Sequence, residues 1–368
     1  MGLFSKKPTG ILGIDVGAGA VKMVELVREA GRARLRTYGF TERESIVAFD
    51  PREHIEEMGA IIRELRRQSG AVATTAIASL PTFSVFSSVI TLPELPKKEI
   101  PAAIRWEVKK LIPLPLEEMI LNWEPLPESL AGVSRRPTPT DAKTTGDIKK
   151  EDAVVIEKEK KSVSFLITAA QKKLVEQYVA IFKASGIALQ SLETEAFALE
   201  RSLVGNDKST VMIVDIGARN TDISVIDCSI PVLNRSMDFG GKNFTETIVG
   251  ITKLAQAHAE QLKRDISQSR DAVIPKAFEP ILTPLLNEIQ YTLSLYQSRS
   301  GGRIEKIILT GGSGLLFNLV TLLTSRFNIT VVVGDPWARI ATPIDLTPVL
   351  QEIGPRMSVA VGLAMRGI

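Results

Sequence analysis

The amino-acid sequence predicts a two-lobed α/β protein. Three observations carry this. The chain has 368 residues, and hydrophobic cores stop growing at roughly 250 to 300 residues. Runs with strand periodicity precede runs with helix periodicity in both halves of the chain. A short Asp-Gly turn also occurs twice, at Asp15-Val16-Gly17 and at Asp215-Ile216-Gly217, which is the mark of an internal duplication.

The first half opens on a continuous apolar run at 11–14 and alternating stretches at 21–27 and 34–40, with turns at Gly17, Gly19 and Gly31, which predicts a three-strand meander. Ile55, Met58, Ile61, Ile62 and Leu65 share one face of a helix over 51–68, closed by Gly70. A buried strand follows at 75–80. From 83 to 186 the character changes: a β-rich stretch at 83–92, a proline-punctuated start to a helix carrying Ile104, Val108 and Leu111, and a stop at Pro113-Leu114-Pro115. Residues 134–161 hold eight basic and six acidic residues and no aromatics, too little apolar surface to offset ordering entropy. They are predicted as a mobile insertion with a short hairpin at 153–156. A strand at 162–169 and a helix at 172–184 complete this region.

The second half repeats the theme, with strands at 210–216, 222–227 and 231–237. An amphipathic helix is predicted over 243–265, with Ile248, Ile251, Ala255, His258 and Leu262 on one face, and a second over 277–299 with Pro280 and Pro284 near its start. Strands at 304–310 and 329–333 flank a helix at 314–327, and a small-residue helix at 357–365 closes the chain.

Composition excludes several function classes. With 45 Lys and Arg against 42 Asp and Glu, spread along the chain, there is no nucleic-acid footprint. The single Cys228 excludes an intrachain disulfide, and with only His54 and His258 a closed zinc site lacks ligands. A reducing cytoplasm fits. No apolar run spans a bilayer and residues 1–8 carry no secretory h-region, so they read as a frayed basic tail, with a weak membrane-surface contact through Phe4, Lys6 and Lys7 the lesser alternative.

The duplicated turns carry the chemistry. Each ends an apolar strand in an aspartate and opens a glycine turn, so two such turns facing each other would present backbone N–H groups to a polyphosphate. Asp15 and Asp215 supply the two carboxylates that a hydrated Mg²⁺ accepts. A third element, Thr310-Gly311-Gly312-Ser313-Gly314, leaves a strand and enters a helix, offering orphan N–H groups. No Walker A spacing precedes Gly241-Lys242, because Asn243 stands where Ser or Thr belongs.

This constellation resembles the actin-like ATPase superfamily. Its five segments occur in order: a first phosphate loop at 13–22, a connecting helix at 193–203, a second phosphate loop at 215–222, an adenosine segment at 309–318 and a final connecting helix at 358–366. The resemblance implies a two-lobed actin-like fold, a duplicated RNase H-like architecture, binding ATP with Mg²⁺. It nominates Asp15, Gly17, Ala18, Gly19, Ala20 and Lys22 in the first loop and Gly217, Ala218, Arg219 and Asn220 in the second. Gly240, Gly241 and Asn243 join them, as do Gly311, Gly312, Ser313 and Leu316. The stretch Ala257-His258-Ala259-Glu260-Gln261-Leu262-Lys263 is similar to the FtsA-type helix that holds ribose and purine, nominating Glu260 and Lys263. Asp15 and Asp215 would hold the metal, and Asp215 and Glu195, or Glu193, are candidates for base or water-positioning work.

Within the superfamily the sequence resembles the FtsA and PilM group. Ile104-Arg105-Trp106-Glu107, the Pro113-Leu114-Pro115 segment, Glu193-Thr194-Glu195-Ala196-Phe197 and the terminal Ala360-Val361-Gly362-Leu363-Ala364-Met365-Arg366-Gly367 carry the PilM branch. That resemblance implies a subdomain 1C at 83–186, a 1A at 9–82 with 187–206 and 352–368, a 2A at 207–240 with 304–351, and a 2B at 241–303. It implies a scaffold at the cytoplasmic face of the inner membrane. Such a scaffold captures the N-terminal peptide of a PilN-like membrane protein in a 1A–1C groove walled by residues around 83–90, and links it to pilus motor ATPases and the platform protein. A homo-oligomer stays open. FtsA-like members usually continue into a C-terminal amphipathic helix where this sequence ends at Ile368. A membrane-associated filament former and a sugar-kinase-like phosphotransferase remain the alternatives. Ala18 and Ala20 replace hydroxyl residues, and Ala218-Arg219-Asn220 replaces a Gly-Gly-Thr type segment. Weak or absent hydrolysis is therefore expected beside firm nucleotide binding.

Overall fold

The computed structural model describes residues 10–42, 54–112, 114–127, 162–268, 278–316 and 319–368. The predicted hairpin at 153–156, the insertion around it and the basic tail lie outside these residues.

Two five-stranded sheets repeat one topology. In the first, β1 (Ile11–Val16), β2 (Ala20–Glu29) and β3 (Arg32–Glu42) form an antiparallel meander; β4 (Thr75–Leu80) adds parallel to β1, and β8 (Ala188–Thr194) parallel to β4. The second sheet places β9 (Val211–Ile216), β10 (Thr221–Asp227), β11 (Ile230–Met237), β12 (Lys306–Thr310) and β13 (Thr330–Val333) in the same relation. The internal duplication inferred from the two turns is thus a duplication of whole sheets. Both meanders also close alike, through pairs of positive-φ residues at Ala30-Gly31 and Cys228-Ser229, the geometry that matches strand twist in tight hairpins.

A third sheet, in the order β5 (Val85–Pro93), β7 (Ser162–Gln171), β6 (Met119–Pro125), is antiparallel and carries α2 (Ile100–Lys109) on one face through Ile104 and Val108. On the first lobe, α1 (Ile55–Ser69) and α3 (Lys172–Ser185) pack together through Met58, Ile62, Tyr178 and Phe182. Gly70 and Gly186 end them in the left-handed conformation. The second lobe's core gathers Met212, Val214, Phe244, Leu285 and Ile289. Between the two large sheets, Ile77, Ala198, Leu199, Ile213, Val359 and Leu363 form one buried apolar cluster.

Several elements depart from the expectations. The helix predicted over 243–265 is two helices, α5 (Gly241–Thr252) and α6 (Gln256–Gln268), broken where Lys253 turns left-handed. The predicted face splits with it: Ile248 is buried while Ile251 is exposed. The final helix, α9 (Thr347–Arg366), is far longer than 357–365 and runs through Pro355. The Pro355 carbonyl accepts bonds from the Gly311 N–H and the Thr310 hydroxyl, so the helix is anchored at the proline. The connecting helix α4 (Glu195–Leu199) is short and continues as a π-helical turn over Glu200–Val204. α7 (Glu279–Ser300) matches the helix predicted over 277–299, whereas α8 (Leu319–Phe327) starts later than the predicted 314–327, because Gly314 and Leu316 close tight turns onto Gly311 and Ser313 instead. Strands β6 and β8 were not expected from the sequence. Trp337 and Ile340 pack with Val24, Leu26 and Leu35, and Ala341 bridges to Arg34, so the segment before α9 lies against the first sheet.

Candidate nucleotide site between two glycine turns

Each Asp-Gly turn is built the same way. Asp15 and Asp215 sit at the penultimate position of β1 and β9, and the next turn closes through Gly17 N–H to Ala20 O at 3.1 Å and Gly217 N–H to Asn220 O at 2.9 Å. The two turns meet: a Cβ on Gly19 would lie 2.5 Å from the Ala218 Cβ, so only glycine lets them approach so closely. Behind the first turn, Gly13 lets α9 pack onto β1, since a Cβ there would overlap the Ala360 carbonyl and the Ala364 N–H.

The register sets the charges. Asp15 pairs directly with Lys22 across β1 and β2, and the Lys22 Nζ donates to Asp15 Oδ2 at 2.8 Å, with the carboxylate almost fully buried. Burial opposes the charge on Lys22, but Asp15, and Asp215 beyond it, hold the ammonium above its usual range. In the second turn the matching position is an acid: Asp215 pairs across β9 and β10 with Asp222. Burial pushes Asp215 up to about 7, with Asp222 and Asp15 adding to the rise against Lys22's opposing pull. Burial likewise lifts Asp222 to about 6. One oxygen of Asp222, Oδ1, is buried without a partner. Glu195, the first residue of α4, is raised well above its usual range by burial and then by Asp222, Asp15 and Asp215. Four carboxylates and one lysine therefore share one region, and below its full ionisation this cluster holds protons.

The second turn is packed by the start of α5, by the segment after β12 and by α6. Gly241 N–H bonds Gly217 O at 2.9 Å, Lys242 N–H bonds Ala218 O at 2.8 Å, and Ser313 N–H bonds Ile216 O at 3.0 Å. Gly311 takes φ +86 and sits where a Cβ would overlap Asp215 Oδ1. A Cβ on Gly241 would come 2.5 Å from Ser313 Oγ and 3.2 Å from Lys263 Nζ. Lys263 on α6 is buried and donates to Gly241 O at 3.1 Å, Thr245 Oγ1 at 2.9 Å and Glu260 Oε2 at 2.6 Å. Burial lowers Lys263, against Glu260's pull. Burial raises the Glu260 carboxyl, but the bonds from Lys263 and Thr245 hold it below its usual range.

The structure thus brings together Asp15, Gly17, Gly19, Lys22, Asp215, Gly217, Ala218, Gly240, Gly241, Lys263, Glu260, Gly311 and Ser313. Other nominated residues are placed differently. Ala18 is exposed on its turn and Ala20 is buried under it. Arg219 points outward toward Asp238, 3.6 Å away. Asn220 contributes its carbonyl to the turn, and the Asn243 Oδ1 accepts from Gly240 N–H to cap α5. Gly312 faces open space, while Leu316 is buried in the second-lobe core. Glu193 is spent on structure: its carboxylate takes Arg201 at 2.8 Å and Arg366 at 2.8 Å. Asp222, the last residue of the second loop at 215–222, was not nominated as a site residue. The signal for Asp222 was present, since it follows Asp215 at the interval by which Lys22 follows Asp15.

Among the described residues no group of three or more His, Cys, Asp or Glu forms a protein-only metal cage. A pair of carboxylates at the strand ends, with an orphaned Asp222 oxygen, fits instead a cation that keeps its waters and takes few protein oxygens. No helix among the described residues is long and apolar enough to cross a membrane.

Duplicated sheets, joined by two connecting helices and meeting at paired Asp-Gly turns, define an actin-like ATPase fold. Relatives agree with this class. Residues 13–137 and 152–368 match the model of the family described as Type IV pilus assembly protein PilM, and the chain belongs to that family. A solved PilM-PilN type IV pilus biogenesis complex is similar at a TM-score of 0.78 and 25% identity, covering 98% of this chain and 99% of that one. The ethanolamine utilization protein EutJ from Carboxydothermus hydrogenoformans shares the fold at a TM-score of 0.55 and 14% identity, covering 98% of this chain and 90% of its own. The cell shape-determining protein MreB of Escherichia coli (strain K12) is 28% identical over 178 residues, 39% of this chain and 51% of MreB. The MreB of Pasteurella multocida is 24% identical over 179 residues. The chain therefore spans about half the length of these MreB relatives.

Proposed function

We propose that this PilM-family protein, whose membership assigns it to type IV pilus assembly, works as a nucleotide-regulated scaffold. In this reading ATP lies between the paired turns, with its phosphates on the N–H groups of both and its nucleoside against Gly311, Ser313, Glu260 and Lys263. The observation that carries the reading is the direct meeting of the two turns at Gly19 and Ala218, with the Asp15 and Asp215 strand ends within electrostatic reach of one another. A polyphosphate there draws Lys22 off Asp15, leaving Asp15 and Asp215 to take a metal. Bound Mg²⁺ would supply charge neutralisation for the phosphates. Glu195 is the water-positioning candidate.

The solved relative is a PilM-PilN complex, which supports a PilN-like partner; the proposed ligand is that partner's N-terminal segment. In this reading that segment occupies a groove beside β5, an edge strand of the three-stranded sheet that begins just after the exposed Phe83. The protein would then sit at the cytoplasmic face of the inner membrane through that partner, linked to motor ATPases and the platform protein. Around the sheets, residues 9–82 with 187–206 form one subdomain and 83–186 a second. The third is 207–240 with 304–351 and the fourth 241–303, with 352–368 in the first. The one change to the division read from sequence is that Trp337, Ile340 and Ala341 pack on the first sheet, so the segment before α9 moves to the first subdomain.

Because nucleotide contacts both lobes, its binding favours a closed arrangement and reshapes the groove. Calorimetric titration with Mg-ATP, with and without the synthetic N-terminal peptide of the membrane partner, tests this. Tight peptide binding whose affinity depends on nucleotide, lost in Asp15→Ala, supports it, and reciprocity requires equal coupling on ATP. Absence of ATP binding refutes it.

A further inference from the structure

Thr82 stands where the first five-stranded sheet hands the chain to the three-stranded one. β4 ends at Leu80, Pro81 follows, and the single turn Thr82–Ser84 leads straight into β5 at Val85. No slack separates the two sheets along this path. Both donors of Thr82 go to one atom: its N–H reaches Glu195 Oε2 at 3.0 Å and its hydroxyl reaches the same oxygen at 2.8 Å. Glu195 is also the residue at which Asp222, Asp15 and Asp215 all act. Its carboxylate therefore belongs to the charged cluster on one side and to the start of the three-stranded sheet on the other.

The far side of the turn is unfinished. β11 of the second lobe packs against the turn Thr82–Ser84 and against β5. The Ser84 Oγ and the Asn234 Oδ1 are buried in this structure without a hydrogen-bond partner, while Ser236 faces Asp222 across β10 and β11. Buried polar groups normally find partners.

We propose that Thr82 and Glu195 form a clasp through which the occupancy of the carboxylate cluster sets the position of the turn Thr82–Ser84, and with it the three-stranded sheet. Thr82 is a positioning residue: it touches no glycine turn and acts through Glu195. A carboxylate recruited toward a metal-bound water cannot keep both Thr82 bonds to the same oxygen. Releasing them frees the turn, and the displacement passes directly to β5. This rests on the reading that the cluster binds a metal nucleotide.

Hydrogen exchange of the full chain, read by mass spectrometry with and without a non-hydrolysable Mg-ATP analogue, tests the clasp. In the unmutated protein the analogue should change exchange over 82–93 at least fivefold. Thr82→Val keeps the shape and the N–H but loses the hydroxyl bond. It should raise exchange over 82–93 without nucleotide, abolish the analogue's effect there, and leave analogue affinity within threefold. Thr82→Ser should restore the response, and Glu195→Gln, a second probe, should alter 82–93 without nucleotide. If the unmutated protein binds the analogue but 82–93 does not respond, or if Thr82→Val responds fully, the clasp is wrong and the binding site stands. If the unmutated protein binds no analogue, the binding site and the clasp fall together.

Discussion

Asparagine in place of Asp215 keeps the side chain's shape and removes one charge from a recessed cluster, so its effect on stability measures the electrostatic cost stored at the junction. Asp215 is raised from 3.8 to about 7. A carboxyl raised in the folded state contributes stability that is complete below its unfolded value near 4 and is lost as pH climbs to its folded value. With about 1.4 kcal/mol for each tenfold change in proton affinity, the native Asp215 costs about 2 kcal/mol at pH 5 and about 4 kcal/mol at pH 8. Sharing of protons with Asp222 makes the larger figure a ceiling. Asp215→Asn should therefore be more stable than the unmutated protein, and its advantage should widen by about 2 to 3 kcal/mol between pH 5 and pH 8. Urea unfolding in metal-free buffer at both values, read as midpoints at constant slope, gives this difference. An advantage that is flat with pH, or a variant less stable throughout, refutes the burial and like-charge account of the cluster.

Gly13→Ala should lower stability by about 2 kcal/mol or more, because the new methyl overlaps backbone of α9 rather than a side chain that can move; a thermal melt shows it. Lys263→Met should cost about 1 to 2 kcal/mol by removing the buried ammonium's bonds to Gly241 O, Thr245 Oγ1 and Glu260, which keeps Arg264, and should weaken ATP more than tenfold in calorimetry. Arg201→Ala should cost about 3 kcal/mol in the same melts, since Glu193 is almost fully buried and loses its bidentate partner. Mg-ATP affinity should rise between pH 6 and pH 8 as Asp215 and Asp222, held at about 7 and about 6, give up their protons; a flat profile counts against a metal at these carboxylates.

The parts of this molecule that the sequence discloses are those written in consecutive residues. Val211 to Ile216 is apolar but for Asp215 and leads into Gly217, so strand, turn and acid are visible together, and the repeat of this pattern discloses the two lobes. β8 is different: its strand character comes from parallel pairing with β4, a partner more than a hundred residues away, and its own residues alternate weakly. The break at Lys253 is a backbone event inside a sequence that keeps helical periodicity across it. In α9 the reverse holds, because Pro355 reads as an interruption, yet its carbonyl ties the helix to Gly311 and Thr310 from another element. Thr82 was invisible for the same reason as β8, since its partner Glu195 lies in a distant segment.

The direct pairing of Asp15 with Lys22, against that of Asp215 with Asp222, has a directional consequence. The two halves repeat one topology but not one charge: the first turn carries its own counterion, and the second carries an excess of negative charge. The junction is therefore polarised along the axis that relates the halves. In the proposed reading, a complex of polyanion and cation would meet unequal ends there, with the anion drawn to Lys22 and the cation held between Asp15 and Asp215 on the more acidic side. A single charge reversal between duplicated halves thus converts a two-fold symmetric junction into one with a preferred binding orientation.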